Sequence, residues 1–311
     1  MAMLEINNLD KSFGKRKAVD DLSFSVREGE VFGLLGPNGA GKSTTLSLIS
    51  GLQRPNKGRV TVGGINVGED SLRAKALIGV VPQEPAIYPQ LSARANLRFW
   101  GELNGLSKKE LASAVERALT IVGLTDRADE RCSKLSGGMK RRLNIAAGLI
   151  HSPKLLIMDE PTVGVDPQSR HHILETVKEL KAQGTTIIYT SHYVEEVEQL
   201  CDRVAIMDHG KLLSIGTLPE LLGQAGEYQE LIITLRTTPE SILPVIQALP
   251  WVQNAVVTND VLAILTANAE LALPQVFQTI VENELELAEI KINKPSLESL
   301  FLKLTGRTLR D

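Results

Sequence analysis

The 311-residue sequence predicts an α/β chain in two parts, a larger parallel-sheet domain and a small α+β domain. Three observations carry this. Short apolar runs at Val31–Leu35, Leu155–Met158, Thr186–Tyr189 and Val204–Met207 look like buried strands. Helical spacing separates them: Ile173, Val177 and Leu180 recur on one face of Ser169–Gln183. Beyond Gly223–Gly226 the pattern changes, and the segment from Leu222 onward carries 6 basic and 11 acidic side chains. At roughly 150 residues per domain, the length also suggests two domains.

Composition narrows the function classes. With 43% hydrophobic and 23% charged residues, the chain is neither disordered, fibrous nor a small disulfide scaffold. Its 34 Lys and Arg against 37 Asp and Glu give no global reason to expect a nucleic-acid partner. The two cysteines, Cys132 and Cys201, lie far apart without a CxxC or metal-ligand spacing, which suits a reduced, cytosolic protein. The N-terminus lacks the basic start and apolar stretch of a signal peptide. A spanning helix needs ~20 mostly apolar residues. The longest uncharged run, Ser241–Asn259, is interrupted by Pro244, Gln247, Pro250, Gln253 and Asn254. Work at a membrane would therefore need another chain to cross it.

The first domain spans residues 1–220. Alternating strands and helices predict a mostly parallel sheet covered on both faces. Residues 87–152 hold no clear strand and read as a helical subdomain, with Leu111, Val115, Leu119 and Val122 on one face. Gly223–Gly226 reads as a linker. The second domain, 227–311, reads as strand Glu230–Arg236, helix Pro239–Ala248, strands Val252–Thr258 and Val261–Thr266, helix Leu271–Glu284 and strand Leu287–Ile292. That βαββαβ order is the ferredoxin-like arrangement. Pro295-Ser296 starts a final helix, Ser296–Leu304.

The chemistry begins at Gly36-Pro37-Asn38-Gly39-Ala40-Gly41-Lys42-Ser43, a full match to G-x-x-x-x-G-K-[ST] between a strand and a helix. Glycines let backbone N–H groups point at phosphate oxygens, and the helix N-terminus adds partial positive charge. Lys42 reaches the β and γ phosphates, and the Ser43 hydroxyl ligates Mg²⁺. Downstream, Leu155–Met158 ends in Asp159-Glu160. Carboxylates at the C-terminal end of a parallel strand face the ligand crevice. Asp159 is placed to hold Mg²⁺, and Glu160 to polarise an attacking water. Alone, the pair would read equally well as an acidic surface turn. Leu135-Ser136-Gly137-Gly138-Met139 opens another helix, with Ser136 as N-cap and Gly137 and Gly138 leaving N–H groups bare, a second anion-seeking helix start. By itself it would be a capped helix with a basic exposed face at Lys140–Arg142.

In this order, the three motifs resemble the nucleotide-binding subunit of an ABC (ATP-binding cassette) transporter, a P-loop NTPase with a RecA-like core. The resemblance covers about residues 3–218. Val81-Pro82-Gln83-Glu84 resembles the glutamine loop, Pro161–Asp166 the D-loop with Asp166 its aspartate, and Thr190-Ser191-His192 the switch histidine. Phe13 matches the aromatic that stacks on adenine, where the family often has Tyr.

The resemblance implies an ATPase using ATP and Mg²⁺. Gly36–Ser43 with Thr44 would cradle the nucleotide, and Ser43, Gln83 and Asp159 would hold the metal. Lys42, Gln83 and His192 would surround the γ-phosphate, with Glu160 activating water. Ser136, Gly137, Gly138 and Asp166 would close the site across an ATP-dependent head-to-tail homodimer. The implied location is cytoplasmic, peripheral on the inner face of the membrane, bound only through a separate transmembrane permease and to no nucleic acid. Pro161–Pro167 and the tail Pro295–Gly306 resemble bacterial type-2 exporters of drugs, antibiotics, polysaccharides or sodium. An importer subunit stays open as an alternative. A repair-type ATPase would need a long coiled-coil insertion, and a translation-type factor two cassettes.

Overall fold

The computed structural model describes residues 1–225, 229–293 and 296–306. It divides into two compact units, Met1–Leu35 with Gly39–Leu212, and Gly36–Asn38 with Leu213–Asp311.

The first unit opens with β1 (Ala2–Phe13), β2 (Arg16–Arg27) and β3 (Val31–Leu35), then α1 (Lys42–Ile49), β4 (Lys57–Val62), β5 (Ile65–Asn66), α2 (Ser71–Ala76) and β6 (Ile78–Val81). Three helices follow, α3 (Ala93–Leu103), α4 (Lys108–Ile121) and α5 (Gly137–Leu149). Then come β7 (Leu155–Met158), α6 (Pro167–Ala182), β8 (Thr186–Ser191), α7 (Val194–Leu200) and β9 (Arg203–Asp208).

Strands β9, β3, β8, β7 and β6 lie side by side, every neighbouring pair parallel. All residues of β3, β7 and β8 are buried, which is why they read as continuous apolar runs. The helical stretch 87–152 carries Leu111, Val115, Leu119 and Val122 into a single core with Leu97, Leu143 and Ile173. Ser107 and Glu110 close a reciprocal capping box at the start of α4.

A second sheet, ordered β2-β1-β4-β5 and antiparallel, was not legible in the sequence. Its first strand buries Leu4, Ile6 and Leu9, so the apolar period slips by one residue. A register shift between Ile6 and Leu9 absorbs the slip, with Asn8 at φ 47 and its amide donating to Ser23 Oγ at 2.8 Å.

β10 (Lys211–Gly216) carries the chain across the unit boundary. The second unit then holds α8 (Leu218–Ala225), β11 (Gln229–Leu235), α9 (Leu243–Gln247), β12 (Val252–Thr258) and β13 (Val261–Thr266). It ends with α10 (Ala269–Glu282), β14 (Leu287–Asn293) and α11 (Leu297–Thr305). Its sheet order β14-β11-β13-β12, antiparallel throughout, is the ferredoxin-like order. Leu231, Ile233, Leu262, Ile264, Val276 and Ile280 form its core.

The expected linker is a correction: Gly223–Ala225 lie inside α8. Thr217 and Glu220 cap that helix, the Thr217 amide donating to Glu220 Oε2 at 2.7 Å and the Glu220 amide to Thr217 Oγ1 at 3.4 Å. A helix with both ends of a capping box fixed tolerates a glycine at about 1 kcal/mol. Gly226 and residues 227–228 lie outside the described residues, as does Pro295; Ser296 is the N-cap of α11.

Candidate active site

The parallel sheet explains why distant residues meet. Val81, Met158 and Tyr189 stand side by side across β6, β7 and β8, and Leu35 of β3 pairs Ser191 of β8. Gln83, Glu160, His192 and Lys42 each follow the C-terminal end of one of these four neighbouring strands. Ligand crevices of parallel sheets open at that edge.

Three of these side chains converge on the carboxylate of the fourth, Glu160. Gln83 Nε2 donates to Glu160 Oε2 at 3.0 Å. His192 Nδ1 lies 3.5 Å from the same oxygen, and Lys42 Nζ lies 3.8 Å from Glu160 Oε1. Lys42 is buried, and burial lowers its pKa from the ordinary lysine value against the opposing charges of Glu160 and Asp159.

Strand alternation does not aim Glu160. β7 ends at Met158, and Glu160 sits beyond it at φ 47. Thr190, to which sequence reasoning gave no role of its own, holds the turn. Its Oγ1 accepts the Glu160 amide at 2.9 Å and donates to Asp159 Oδ1 at 2.8 Å. One hydroxyl thus holds the Asp159 carboxylate and the Glu160 backbone.

The glycine-rich loop lies next to β2. Gly41 has φ 104, and a Cβ there would meet the Ala18 carbonyl oxygen at 2.4 Å, so only glycine fits. It is the N-cap of α1, whose first residues are Lys42, Ser43 and Thr44. Ser43 is exposed, Thr44 half-buried and Ala40 buried. Gly36 and Pro37 are buried and Asn38 exposed on the run from β3 to Gly39. Arg16 reaches Gly39, and Arg16 pairs Phe13 across the β1–β2 hairpin. Phe13 is 49% exposed with Lys11 Nζ 5.3 Å from its ring centre, so a π-face stands at the hairpin end beside the loop.

The second glycine turn starts α5. Ser136 is its N-cap, accepting the Met139 amide at 3.2 Å, and Ser136 and Gly137 are exposed. Gly138 is buried against the start of α6: a Cβ would strike Ser169 Oγ at 1.9 Å and lie 3.0 Å from Asp166 Oδ2. Asp166 caps α6 by accepting the Ser169 amide at 2.9 Å, which holds its carboxyl below the usual range. Asp166 therefore lies with Gly138.

Two further hubs were missed. Glu196, 1% exposed, accepts from Thr162 at 2.9 Å and from Tyr189 and Ser191 at 2.8 Å, and pairs with Arg170 at 2.6 Å. It ties the turn after Glu160 to the residue before His192. Arg141, which by itself reads as part of an exposed basic face, is 6% exposed, and Asn144, to which sequence reasoning gave no role, is 1% exposed. Cys132 is buried, accepts Asn96 Nδ2 at 3.2 Å, and has its thiol pKa raised by burial, so it is inert.

Residues 19–163 match the model of the family described as ABC transporter. The linearmycin resistance ATP-binding protein LnrL of Bacillus subtilis (strain 168) is 49% identical over 311 residues, 99% of this chain and 100% of that protein. The chain belongs to the ABC transporter family. The Nod factor export ATP-binding protein I of Rhizobium sp. (strain N33) is 40% identical over 306 residues, 98% of each chain. The solved dimeric, post-hydrolysis ATP-binding cassette bound to ADP and Pi is 25% identical, with a TM-score of 0.63 over 69% of this chain and 98% of that one.

The protein is thus an ABC ATP-binding subunit and an ATPase. The residues that the sequence leads one to expect around Mg²⁺, Ser43, Gln83 and Asp159, bring a hydroxyl, an amide and a carboxylate, oxygen donors of the kind a hard cation takes. Among the described residues no three His, Cys, Asp or Glu side chains cluster as metal ligands.

Proposed function

We propose that this cassette powers export through a separate membrane-spanning permease, by binding and hydrolysing Mg-ATP in a head-to-tail homodimer. The observation that carries the hydrolytic part is the convergence of Lys42, Gln83 and His192 on Glu160. The backbone amides of Gly39–Ser43 and the Lys42 ammonium bind the phosphates. Phe13 stacks on the base. As phosphate charge arrives, Lys42 turns from Glu160 toward it, and the carboxylate takes up a water. Gln83 and His192 orient that water and the γ-phosphate. Asp159, Ser43 and Gln83 would hold Mg²⁺, which would supply charge neutralisation for the phosphates. Phosphoryl transfer is chiefly positioning and charge stabilisation, so assembling the site gates the reaction.

Ser136 and Gly137 leave a helix N-terminus open to solvent, away from the chain's own Lys42 loop in sequence and suited to a phosphate. A second copy, turned head to tail, supplies that phosphate, with Asp166 beside it. A dimeric cassette among the similar structures supports this arrangement.

No helix of the described residues is long and apolar enough to cross a membrane. A groove of about 390 Å³, lined by Leu52, Trp100, Leu103, Ala147 and His151 among others, suits a permease segment. Tyr88 and Phe99 stand exposed in edge-to-face contact on the same helical part. The export direction rests on the Rhizobium relative, whose match spans the tail as well as the cassette. A mild-detergent pull-down of the tagged chain from native membranes tests the proposal. A stoichiometric polytopic partner is the predicted result, and recovery of ribosomes, DNA or nothing would oppose it.

A further inference from the structure

Arg141 is a charged residue, 6% exposed, with no ion pair among the described residues. Burying a guanidinium is costly unless every donor finds an acceptor. Here the acceptors are main-chain carbonyls. Nη1 donates to the carbonyls of Pro82 and Gln83, and Nη2 to that of Val163 at 3.3 Å. Desolvation lowers the guanidinium pKa, partly offset by the nearby charges of Asp159 and Glu160.

These carbonyls belong to the two segments that carry the hydrolytic pair. Val163 closes the turn after Glu160, its amide donating to the Glu160 carbonyl at 3.3 Å. One helical turn along α5, Asn144 clamps the other segment: Nδ2 donates to the Pro82 carbonyl at 3.0 Å and Oδ1 accepts the Ala86 amide at 2.9 Å. Gln83 is therefore bracketed by backbone bonds at Pro82 and Ala86, and joined through Arg141 to the turn that aims Glu160.

We propose that Arg141 is a positioning residue for ATP hydrolysis, bridging the Gln83 segment and the Glu160–Val163 turn so that Gln83 meets the Glu160 carboxylate. Its planar fork reaches acceptors on two segments at once, which a lysine ammonium on a flexible stem does not do in fixed geometry. Among the described residues Arg141 hydrogen-bonds to neither the glycine-rich loop nor Phe13, so its loss acts first on the placement of Gln83 and Glu160 and hence on rate. The inference rests on the reading of Gln83 and Glu160 as the hydrolytic pair.

The test measures kcat and, separately, the Kd for a fluorescent ATP analogue in Arg141→Ala, Arg141→Gln and Arg141→Lys, with Glu160→Gln in the same assays. Expected are a fall in kcat of about tenfold or more and a Kd within about twofold of wild type, since misplaced catalytic groups lose rate and not ground-state binding. The lysine variant keeps the charge and decides the case if the alanine variant does not fold. Wild-type kcat in Arg141→Lys, or a Kd weakened in step with kcat, overturns the proposal. An active Glu160→Gln would instead remove the hydrolytic pair on which it stands.

Discussion

Lys42 and Glu160 stand 3.8 Å apart, both nearly buried, one following β3 and the other β7. In the proposed mechanism, the cation that would meet phosphate and the carboxylate that would meet water thus share one desolvated spot. Attraction is strengthened where water is excluded, and so is the cost of removing either partner.

Replacing Lys42 by alanine should weaken binding of a fluorescent ATP analogue about ten- to hundredfold, the worth of a lost charge-assisted hydrogen bond. It should also lower stability, because Glu160 then keeps its burial without its cation. Unchanged affinity would separate Lys42 from the phosphates.

The Thr190 hydroxyl accepts the Glu160 amide and donates to the Asp159 carboxylate, so Thr190→Val removes that partner from both groups. The expected costs are about 1–3 kcal/mol in denaturant unfolding and about ten- to hundredfold in kcat. Thr190→Ser restores the hydroxyl and should restore most of both. Equal loss in the serine variant would point to the methyl group and to packing.

His151 gives a pH dependence with a defined sign. Its Nε2 lies 3.1 Å from the Ile78 carbonyl, which can only accept, so Nε2 carries the proton of the neutral ring. Nδ1 is buried with no hydrogen-bond partner among the described residues, and burial lowers the pKa from the ordinary 6.5. The unfolded chain then takes up the proton first as pH falls. The contribution is fully present above pH ~6.5 and is lost as pH drops through the folded value. Between pH 8 and 5.5 the unfolding midpoint of wild type should fall about 2 °C more than that of His151→Gln. Equal slopes would contradict this.

Much of this was legible in the sequence, for physical reasons. Strands buried on both faces are mostly apolar, so the apolar runs within β3, β7, β8 and β9 stood out. Gly41 and Lys42 sit in a motif whose backbone demands glycine. Sequence could not follow the antiparallel sheet past the slip at Asn8, where side chains change face. Nor could it see that α8 would run through Gly223, because the Thr217–Glu220 cap outweighs that residue. Arg141 looked like surface charge because its acceptors are carbonyls, which have no sequence signature.

Glu160→Gln is the most direct test of the central claim, that Glu160 polarises the attacking water. Single-turnover hydrolysis and dimer mass should be measured together, with saturating Mg-ATP. The account predicts intact ATP binding, hydrolysis slowed by about 100-fold or more, and a stable ATP-bound dimer. Turnover near the wild-type rate would show that another group activates the water, and the account of this site would fall.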